Sequence, residues 1–335
     1  MSNHSQPATL LAVNELQVKF ATGQGVVAPV RGVSFAVKQH ETLGIIGESG
    51  CGKSVTAQAL MGLLPPRYSH VSGEMTFNGQ ALRNLSPGEL QRWRGSRMAM
   101  IFQDPLSSLN PVFSVGFQIE ESLRLHTPLT RRQRQAEVLN LLHQVGIEDA
   151  RRCAAAYPHE ISGGMRQRVM IAMAIASRPS LLIADEPTTA LDVTIQAQIL
   201  ALLEKVKADN GMGIILITHD LSVVAQLCQR VLVMYLGEVV EEADIITLFD
   251  NPRHPYTRAL LQSVPRLDRA RKTELPEIRG TVPALSVAIT GCGFADRCPY
   301  AQARCREQRP ALRALSERSS QRVRCWRAEE IEGLL

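Results

Sequence analysis

The strongest structural signal in this chain is the segment ISGGMRQRVMIAMAIASRPSLLIADE, residues 161–186. Its first half opens at a Ser-Gly-Gly turn and continues as a helical stretch. Its second half contains the apolar run Leu181–Ala184, a buried strand that delivers Asp185 and Glu186 to its carboxyl end. Ligands of α/β sheets bind at the carboxyl ends of the strands. The stretch therefore predicts a helix that leads into a core strand ending in two carboxylates.

Strands and helices alternate on both sides of this stretch. Strands are predicted at residues 10–20, 30–37, 41–46, 73–79, 98–102, 181–184, 213–217 and 231–240, the last as a hairpin around Gly237. Helices are predicted at 54–64, 87–94, 194–208 and 221–228, and almost all of 115–178 reads as helical. Strands that alternate with crossover helices indicate a sheet with a parallel core. Residues 104–160 are then a helical insertion into a domain over 10–250, and the segment 251–335, rich in proline, arginine and cysteine, is an extension.

The composition indicates a globular protein with a full core. Hydrophobic residues make up 45% and charged residues 21% of the 335 positions. No apolar run approaches the ~20 residues of a membrane span, and the N-terminus lacks the basic start and apolar segment of a signal peptide. We therefore expect a cytosolic chain. Much of the net charge of +5 lies in arginines after Asp250, but only 4% of residues are aromatic, so nucleic-acid binding is disfavoured.

The segment GESGCGKS, residues 47–54, matches the phosphate-loop pattern G-x-x-x-x-G-K-[ST]. An apolar strand leads into it and a helix leads out of it, which is the context that the pattern needs. Its glycines let backbone N–H groups wrap phosphates at a helix N-terminus. Lys53 would neutralise the β- and γ-phosphates, and the Ser54 hydroxyl would bind Mg²⁺. The nucleotide-binding residues predicted here are Gly47, Glu48, Ser49, Gly50, Cys51, Gly52, Lys53, Ser54 and Val55.

The carboxylates after the predicted strand 181–184 suit nucleotide hydrolysis. Asp185 would hold Mg²⁺ through water, and Glu186 is placed to polarise the attacking water for in-line displacement. The alternative is a pair of surface carboxylates in a turn before Pro187. An apolar strand that ends in Asp-Glu, in a chain that also has a phosphate loop, makes hydrolysis the better interpretation.

With these motifs the chain resembles the ATP-binding subunits of ABC transporters over roughly residues 10–250. The family's order of motifs continues with Gln103 in MIFQDP, ISGGM at 161–165, ALD at 190–192 and His219 in LITHD. The resemblance implies an α/β P-loop NTPase fold with a RecA-like core, an antiparallel β subdomain and the helical insertion. It also implies an ATPase in which two subunits face each other and share their nucleotides.

The resemblance assigns roles to residues around the nucleotide of each subunit. Gln103 would sense Mg²⁺ and contact the membrane subunits. His219 would reach the γ-phosphate, which places it with Glu186 and Lys53 among the catalytic residues. Phe20 stands where the family often has an adenine-stacking aromatic residue, more commonly a tyrosine.

Other residues would act across the dimer. In the resembled family, Ser162 and Gly164, with Gly163 between them, donate hydrogen bonds to the γ-phosphate bound on the partner subunit. Asp192 would lie at the dimer seam. Met165 replaces the more usual glutamine of this signature, but the serine and glycines that contact phosphate are intact.

Four of the seven cysteines cluster near the C-terminus, with the spacing C-x5-C-x6-C-x19-C: Cys292, Cys298, Cys305 and Cys325. In a cytosolic protein a metal site is a better interpretation than a disulfide framework. Zinc sites usually contain tighter cysteine pairs, whereas four thiolates at wider spacing suit a cubane iron–sulfur cluster. Chemistry alone favours iron–sulfur over zinc, and zinc over free thiols. Cys51 is expected to be reactive, because a helix N-terminus lowers the pKa of a thiol.

The extension has a resemblance of its own. The segments RHPYT, residues 253–257, and GCGFADRCPYAQARC, residues 291–305, are similar to the C-terminal extension of di- and oligopeptide importer ATPases, especially the D-type ATPases of dipeptide permeases. This resemblance implies a [4Fe-4S] cluster at the four clustered cysteines, with Zn²⁺ as the alternative. The cluster would stabilise the fold of an extension that has few apolar residues, or it would inhibit import in response to redox state or iron. The stabilising role is favoured.

Taken together, the resemblances imply an ATP-hydrolysing subunit that powers import of dipeptides or oligopeptides at the cytoplasmic face of the bacterial inner membrane. The expected partners are a second ABC ATPase, as a heterodimer mate, two transmembrane permease subunits and an extracytoplasmic peptide-binding protein. ATP and Mg²⁺ are the expected cofactors. The alternatives are another cargo (nickel, glutathione or antimicrobial peptides), a soluble ABC ATPase of DNA repair or translation, and a regulatory module that binds ATP without hydrolysing it.

Overall fold

The computed structural model describes residues 8–23, 25–104, 108–189, 191–263, 278–283, 285, 289–316 and 319–331. Its strands are β1 (Thr9–Thr22), β2 (Gly25–Lys38), β3 (Thr42–Ile46), β4 (Ser69–Phe77), β5 (Gln80–Ala81), β6 (Met98–Ile101), β7 (Leu181–Asp185), β8 (Gly213–Ile217), β9 (Arg230–Tyr235), β10 (Glu238–Asp244), β11 (Arg313–Ala314) and β12 (Arg322–Val323). Its α-helices are α1 (Lys53–Leu60), α2 (Pro87–Trp93), α3 (Val115–His126), α4 (Arg131–Gln144), α5 (Ala150–Ala155), α6 (Gly163–Ile175), α7 (Val193–Asn210), α8 (Leu221–Leu227), α9 (Ile245–Asp250), α10 (Pro255–Gln262) and α11 (Ala303–Glu307). Single 3₁₀ turns lie at Leu82–Asn84 and Pro158–Glu160.

Internal contacts divide the chain into two compact units. The first unit contains the chain up to Leu11, Ala36–Thr42 and Thr76–Ile217. The second contains Ala12–Phe35, Leu43–Met75 and the chain from Thr218 onward. The first unit therefore contains the strand β7 with its terminal carboxylates (the acid strand), the helix α6 that begins at the Ser-Gly-Gly motif (the signature helix) and the helical insertion. The phosphate loop and the cysteine-containing extension belong to the second.

Three parallel strands form the centre of the first unit. The strand β7 pairs in parallel with β6 and with β8, so that Leu181 lies opposite Met98 on one side and Gly213 on the other. Every residue of these strands is buried. Continuous apolar runs of this kind are typical of strands covered on both faces. The predicted parallel core is confirmed.

The second unit contains a mixed group of strands. The strand β3 is parallel to β9, and β9 turns back into the antiparallel β10 through Leu236 and Gly237, which have φ values of 46° and 80°. This is the predicted hairpin. The edge of β10 is extended by β12, which pairs Val323 with Glu241, and β11 pairs with β12. Two-residue strands leave no periodic signal in a sequence, so β11 and β12 were not predicted.

A separate four-stranded sheet has the order β2-β1-β4-β5. The pair β4 and β5 is antiparallel, with Thr76 opposite Ala81. Leu10, Val13 and Phe77 are each fully or almost fully buried in these strands. This sheet corresponds to the predicted β subdomain.

The predicted helical insertion contains α3, α4 and α5. Each begins at a side-chain cap: Ser114 accepts from Phe117 N, Thr130 forms a capping box with Gln133, and Asp149 accepts from Arg152 N. The helix after the phosphate loop ends at Leu60, four residues before the predicted end, because Gly62 turns left-handed at φ 60°. None of the described helices combines the length and the apolar character that a membrane span requires.

Candidate functional site

The phosphate loop connects β3 to α1 in the second unit. Gly47, Gly50 and Gly52 have φ values of 152°, 79° and 99°, a region of backbone space that favours glycine. A Cβ atom would lie 2.2 Å from the carbonyl oxygen of Met234 at Gly47, and 2.1 Å from that of Pro29 at Gly52. Both positions therefore require glycine for conformational and steric reasons.

The lysine of the loop is almost completely buried. Lys53 is 6% exposed, and its Nζ donates to the carbonyl oxygens of Gly47, at 2.8 Å, and Glu48, at 3.1 Å. The helix α1 begins at Lys53, and its N-cap residue, Gly52, provides no side-chain acceptor. The first turn of α1, which contains Ser54 and Val55, therefore has no side-chain cap from Gly52, and the dipole of this helix N-terminus suits an anion.

The prediction of a reactive Cys51 is wrong. The thiol is 1% exposed, and burial raises its pKa. Lys53 acts in the opposite direction, through its charge and its hydrogen bond, but its effect is smaller than that of burial. A helix N-terminus lowers a thiol pKa only where the thiolate remains solvated, and the packing around this loop removes that solvation.

The acid strand of the first unit brings two of the predicted residues together. Glu186, at φ 48°, turns the chain at the end of β7, while its N–H donates to Ile217 O at 2.8 Å. Its Oε2 accepts from Gln103 Nε2 at 2.9 Å and from Thr189 Oγ1 at 2.9 Å. Asp185, the last residue of β7, is 4% exposed. The orientation of the predicted base is therefore set by two side-chain donors, of which Thr189 was not predicted.

The Ser-Gly-Gly signature forms the N-terminus of α6. Ser162 is the N-cap, and its Oγ accepts from Met165 N at 3.3 Å. A Cβ atom at Gly163 would contact nothing within 4 Å, and at Gly164 it would lie 3.3 Å from Ile195 Cγ2. The open side at Gly163 leaves the helix N-terminus accessible to an anionic group.

One buried side chain connects the signature helix α6 to the turn that follows β7. Gln167 is 2% exposed, and its Nε2 donates to the carbonyl oxygen of Pro187. This contact was not predicted. The available signal was a glutamine two residues beyond Met165 on the apolar face of α6, where a polar side chain needs a buried partner.

The remaining predicted nucleotide residues lie in both units. In the first unit, Asp192 is the N-cap of α7 and accepts from Ile195 N at 2.9 Å, while Ala190 lies outside the described residues. In the second unit, His219 is exposed and follows Thr218, and Phe20 is half-buried on β1. Their roles toward a nucleotide stay predictions.

The four clustered cysteines line one cavity of the second unit. The other lining side chains are mostly apolar or aromatic and include Phe294 and Trp326. Burial raises the pKa of the Cys298 thiol, and it raises the pKa of Cys292 to about 11 and that of Cys325 to about 12. Thiols of this kind bind a metal only by releasing their protons to solvent. Within the described ranges, however, no group of three or more His, Cys, Asp or Glu side chains is placed to hold a metal ion.

Comparisons with known proteins agree with this division of motifs. The family described as "ABC transporter" matches residues 30–189, and "Oligopeptide/dipeptide transporter, C-terminal region" matches residues 240–305. The chain is 50% identical to the probable peptide ABC transporter ATP-binding protein y4tR of Sinorhizobium fredii, over 100% of this chain and 99% of the relative. It is 48% identical to the dipeptide transport ATP-binding protein DppD of Escherichia coli, over 92% of this chain and 94% of the relative.

Solved structures give the same result for the fold. The ATP-binding cassette MJ0796, in a dimeric post-hydrolysis state with ADP and Pi, has a TM-score of 0.64 and 27% identity, over 70% of this chain and 99% of that one. The cbiO1 protein of Clostridium perfringens has a TM-score of 0.62 and 29% identity, over 72% of this chain and 91% of that one. The chain belongs to the ABC transporter family of ATP-binding proteins and carries the C-terminal region of the oligopeptide and dipeptide transporters.

Proposed function

We propose that this chain is the ATP-hydrolysing subunit of a multi-subunit importer of dipeptides or oligopeptides. The observation that carries the proposal is full-length similarity at 48–50% identity to relatives named as peptide and dipeptide transport ATP-binding proteins. The intact phosphate loop and acid strand support hydrolysis as well as binding. The C-terminal match supports peptides as the cargo.

Hydrolysis requires a fixed phosphate, a metal and an oriented base. The Lys53 ammonium, now bonded to two loop carbonyls, would exchange one of them for phosphate oxygens. Mg²⁺ supplies charge neutralisation, and Ser54, Gln103 and Asp185 would hold it. Glu186 would accept a proton from the attacking water, with its carboxylate aimed by Gln103. His219 would contact the γ-phosphate.

The signature residues complete a nucleotide site on a second ATPase. Ser162, Gly163 and Gly164 form the N-terminus of α6, whose N–H groups suit the γ-phosphate of a facing subunit. Asp192, at the start of α7, would lie at the seam between the two subunits. We place a non-identical ATPase in the second position, as expected for this branch. Phe20 would stack on adenine.

The first unit exposes an apolar surface suited to a permease. Phe102 is 39% exposed, Val112 68%, Phe113 43% and Phe117 46%. The rings of Phe113 and Phe117 are stacked with centroids 4.7 Å apart. Exposed aromatic side chains of this size suit a protein interface, and one of them, Phe102, precedes Gln103 in the sequence. Two transmembrane permeases would dock here, placing the chain at the cytoplasmic face of the inner membrane, and a binding protein would deliver the peptide from the other side.

The cysteine cavity is the proposed site of a [4Fe-4S] cluster, with Zn²⁺ as the alternative. Four thiols that line one largely apolar cavity supply the donor set of a cubane cluster. Among the described residues no group of three or more His, Cys, Asp or Glu side chains is placed to hold a metal ion, so the proposal rests on the four thiols that share one cavity. We retain the division into an ATPase domain over 10–250, with its helical insertion at 104–160, and an extension over 251–335.

The test is reconstitution in vesicles with the permeases, the second ATPase and the binding protein, with ATP hydrolysis and uptake of a labelled dipeptide measured together. Glu186→Gln should retain ATP and nearly abolish both readouts, since the water loses its base. The control is Glu148→Gln, an exposed glutamate of the same unit, which should leave both unchanged. Hydrolysis that survives in Glu186→Gln would contradict the assignment of the base. Hydrolysis without peptide uptake would contradict the cargo.

A further inference from the structure

The residue that precedes Cys298 contacts the phosphate loop directly. The guanidinium of Arg297 forms a two-pronged ion pair with the Glu48 carboxylate, with Nη1 to Oε2 at 2.7 Å and Nη2 to Oε1 at 3.0 Å. The Arg297 side chain is 6% exposed and that of Glu48 26%. Paired forks of this kind are among the stronger polar contacts in proteins and have a fixed geometry. The second residue of the phosphate loop is therefore held by the extension.

Arg297 is itself held in place independently of Glu48. Its Nε donates to Arg279 O at 2.9 Å, and Nη1 also reaches the Tyr235 hydroxyl at 3.3 Å. Its backbone N–H donates to Phe294 O at 3.0 Å, inside the turn that runs from Cys292 to Cys298. Both ends of this turn line the thiol cavity. The orientation of Arg297 thus depends on the same turn that positions two of the four thiols.

A second group of the extension holds the backbone of the same loop residue. The Tyr256 hydroxyl accepts from Glu48 N at 2.8 Å. Tyr256 is completely buried, and its ring lies 4.7 Å from that of Tyr235 and 5.4 Å from that of Phe294, measured between centroids. Phe294 also lines the thiol cavity. Residues of the extension therefore form hydrogen bonds with both the side chain and the backbone N–H of Glu48.

The backbone carbonyl of Glu48 also accepts hydrogen bonds from other residues of the loop. Its oxygen accepts from Lys53 Nζ at 3.1 Å and from Cys51 N at 3.3 Å. A displacement of Glu48 therefore displaces an acceptor of the lysine that binds phosphate. The pairing also matters electrostatically, because an unpaired carboxylate in a phosphate loop repels a nucleotide.

We infer that Arg297 and Tyr256 are positioning residues for the phosphate loop, and that they couple the turn Cys292–Cys298 to nucleotide affinity. The inference rests on the proposed function, since it assumes that the loop binds nucleotide. Arg297 neutralises Glu48 and fixes its side chain, while Tyr256 fixes its peptide. By thermodynamic linkage, a nucleotide that stabilises the loop when it binds also stabilises the turn, and the coupling free energy is the same in both directions.

The test measures ADP binding to the full-length chain by calorimetry. Arg297→Met should weaken ADP binding about tenfold, a factor in the usual range of coupled sites. Arg297→Lys should recover part of this loss, because it keeps the charge and loses the fork. In a Glu48→Gln background, Arg297→Met should change the affinity less than about twofold, because the repelling charge is gone. The matched control is Arg313→Met, a half-exposed arginine of the extension that pairs with Glu329, away from the turn, and it should change nothing.

The coupling has a readout that is independent of activity. Amide hydrogen exchange of the turn Cys292–Cys298 should slow when ADP binds the wild-type chain, and this response should vanish in Arg297→Met. Unchanged ADP affinity in Arg297→Met overturns the positioning role. So does an equal loss with and without Glu48→Gln, which would indicate a general folding defect. A wild-type chain that binds no ADP overturns the proposed function and the inference together, so the two failures are distinguishable.

Discussion

Replacing Gln118 should loosen the loop that presents the exposed aromatic surface of the first unit. Gln118 is 6% exposed near the start of α3. Its Oε1 accepts from Asn110 N at 2.9 Å, and its Nε2 donates to Asn110 O at 3.0 Å and to Phe113 O at 2.9 Å. One amide side chain therefore holds both ends of the segment from Asn110 to Phe113. Gln118→Met keeps the length of the side chain and removes all of these bonds.

The magnitude follows from the bonds that are lost. An intramolecular hydrogen bond contributes about 1 kcal/mol net, so the bonds of Gln118 set an upper figure of about 3 kcal/mol. Asn110 and Phe113 are exposed, and water can replace part of what is lost. We expect the free energy of opening this loop to fall by about 2 kcal/mol, which speeds exchange of the Asn110 amide hydrogen roughly 30-fold.

The assay is hydrogen exchange on the full chain, followed by dipeptide uptake in the reconstituted importer. Asn110 should lose its protection in Gln118→Met, and uptake should fall while hydrolysis by the free chain stays the same, because the nucleotide residues are untouched. Gln135→Met, an exposed glutamine on α4, is the control and should alter neither readout. Wild-type exchange at Asn110 in Gln118→Met would refute the reasoning, because the bonds would then contribute nothing to the loop.

Three further changes have defined outcomes. Thr130→Ala removes the capping box with Gln133 and should lower the free energy of unfolding by about 1 kcal/mol in urea titrations, with Thr130→Ser close to wild type. The hydrogen bond from the Thr247 hydroxyl lowers the pKa of Asp244, so its stabilisation is present above pH about 4 and lost as pH falls through the lowered value; Asp244→Asn should lose less stability between about pH 5 and pH 3. Anaerobically purified chain should contain about four iron and four sulfide per chain, and Cys298→Ser should lose them; zinc or no metal in the wild-type chain would contradict the cluster.

Local patterns were enough to predict the strand and the loop of the proposed nucleotide site. The run Leu181–Ala184 predicted a buried strand, which the structure has at Leu181–Asp185, and residues 47–54 predicted a glycine-rich loop between a strand and a helix, which the structure also has. The contacts around those elements could not be predicted. Arg297 and Glu48 are 249 positions apart, and no local periodicity relates them. The prediction of a reactive Cys51 thiol failed for the same reason, because the pKa of this thiol depends on burial by segments that are distant in the sequence.

The sheet and the extension of the second unit depend on each other. Glu241 on β10 is fully buried, which raises its pKa. Its carboxylate accepts from Arg253 N at 2.8 Å, His254 N at 2.9 Å and Gln321 Nε2 at 2.7 Å. All of these donors lie beyond residue 250, so without the extension a core strand would carry a buried carboxylate that has lost them, at a cost of several kcal/mol. Because the segment anchored by Arg253 and His254 continues directly into Tyr256, the strand that needs the extension also fixes the hydroxyl that holds the phosphate loop.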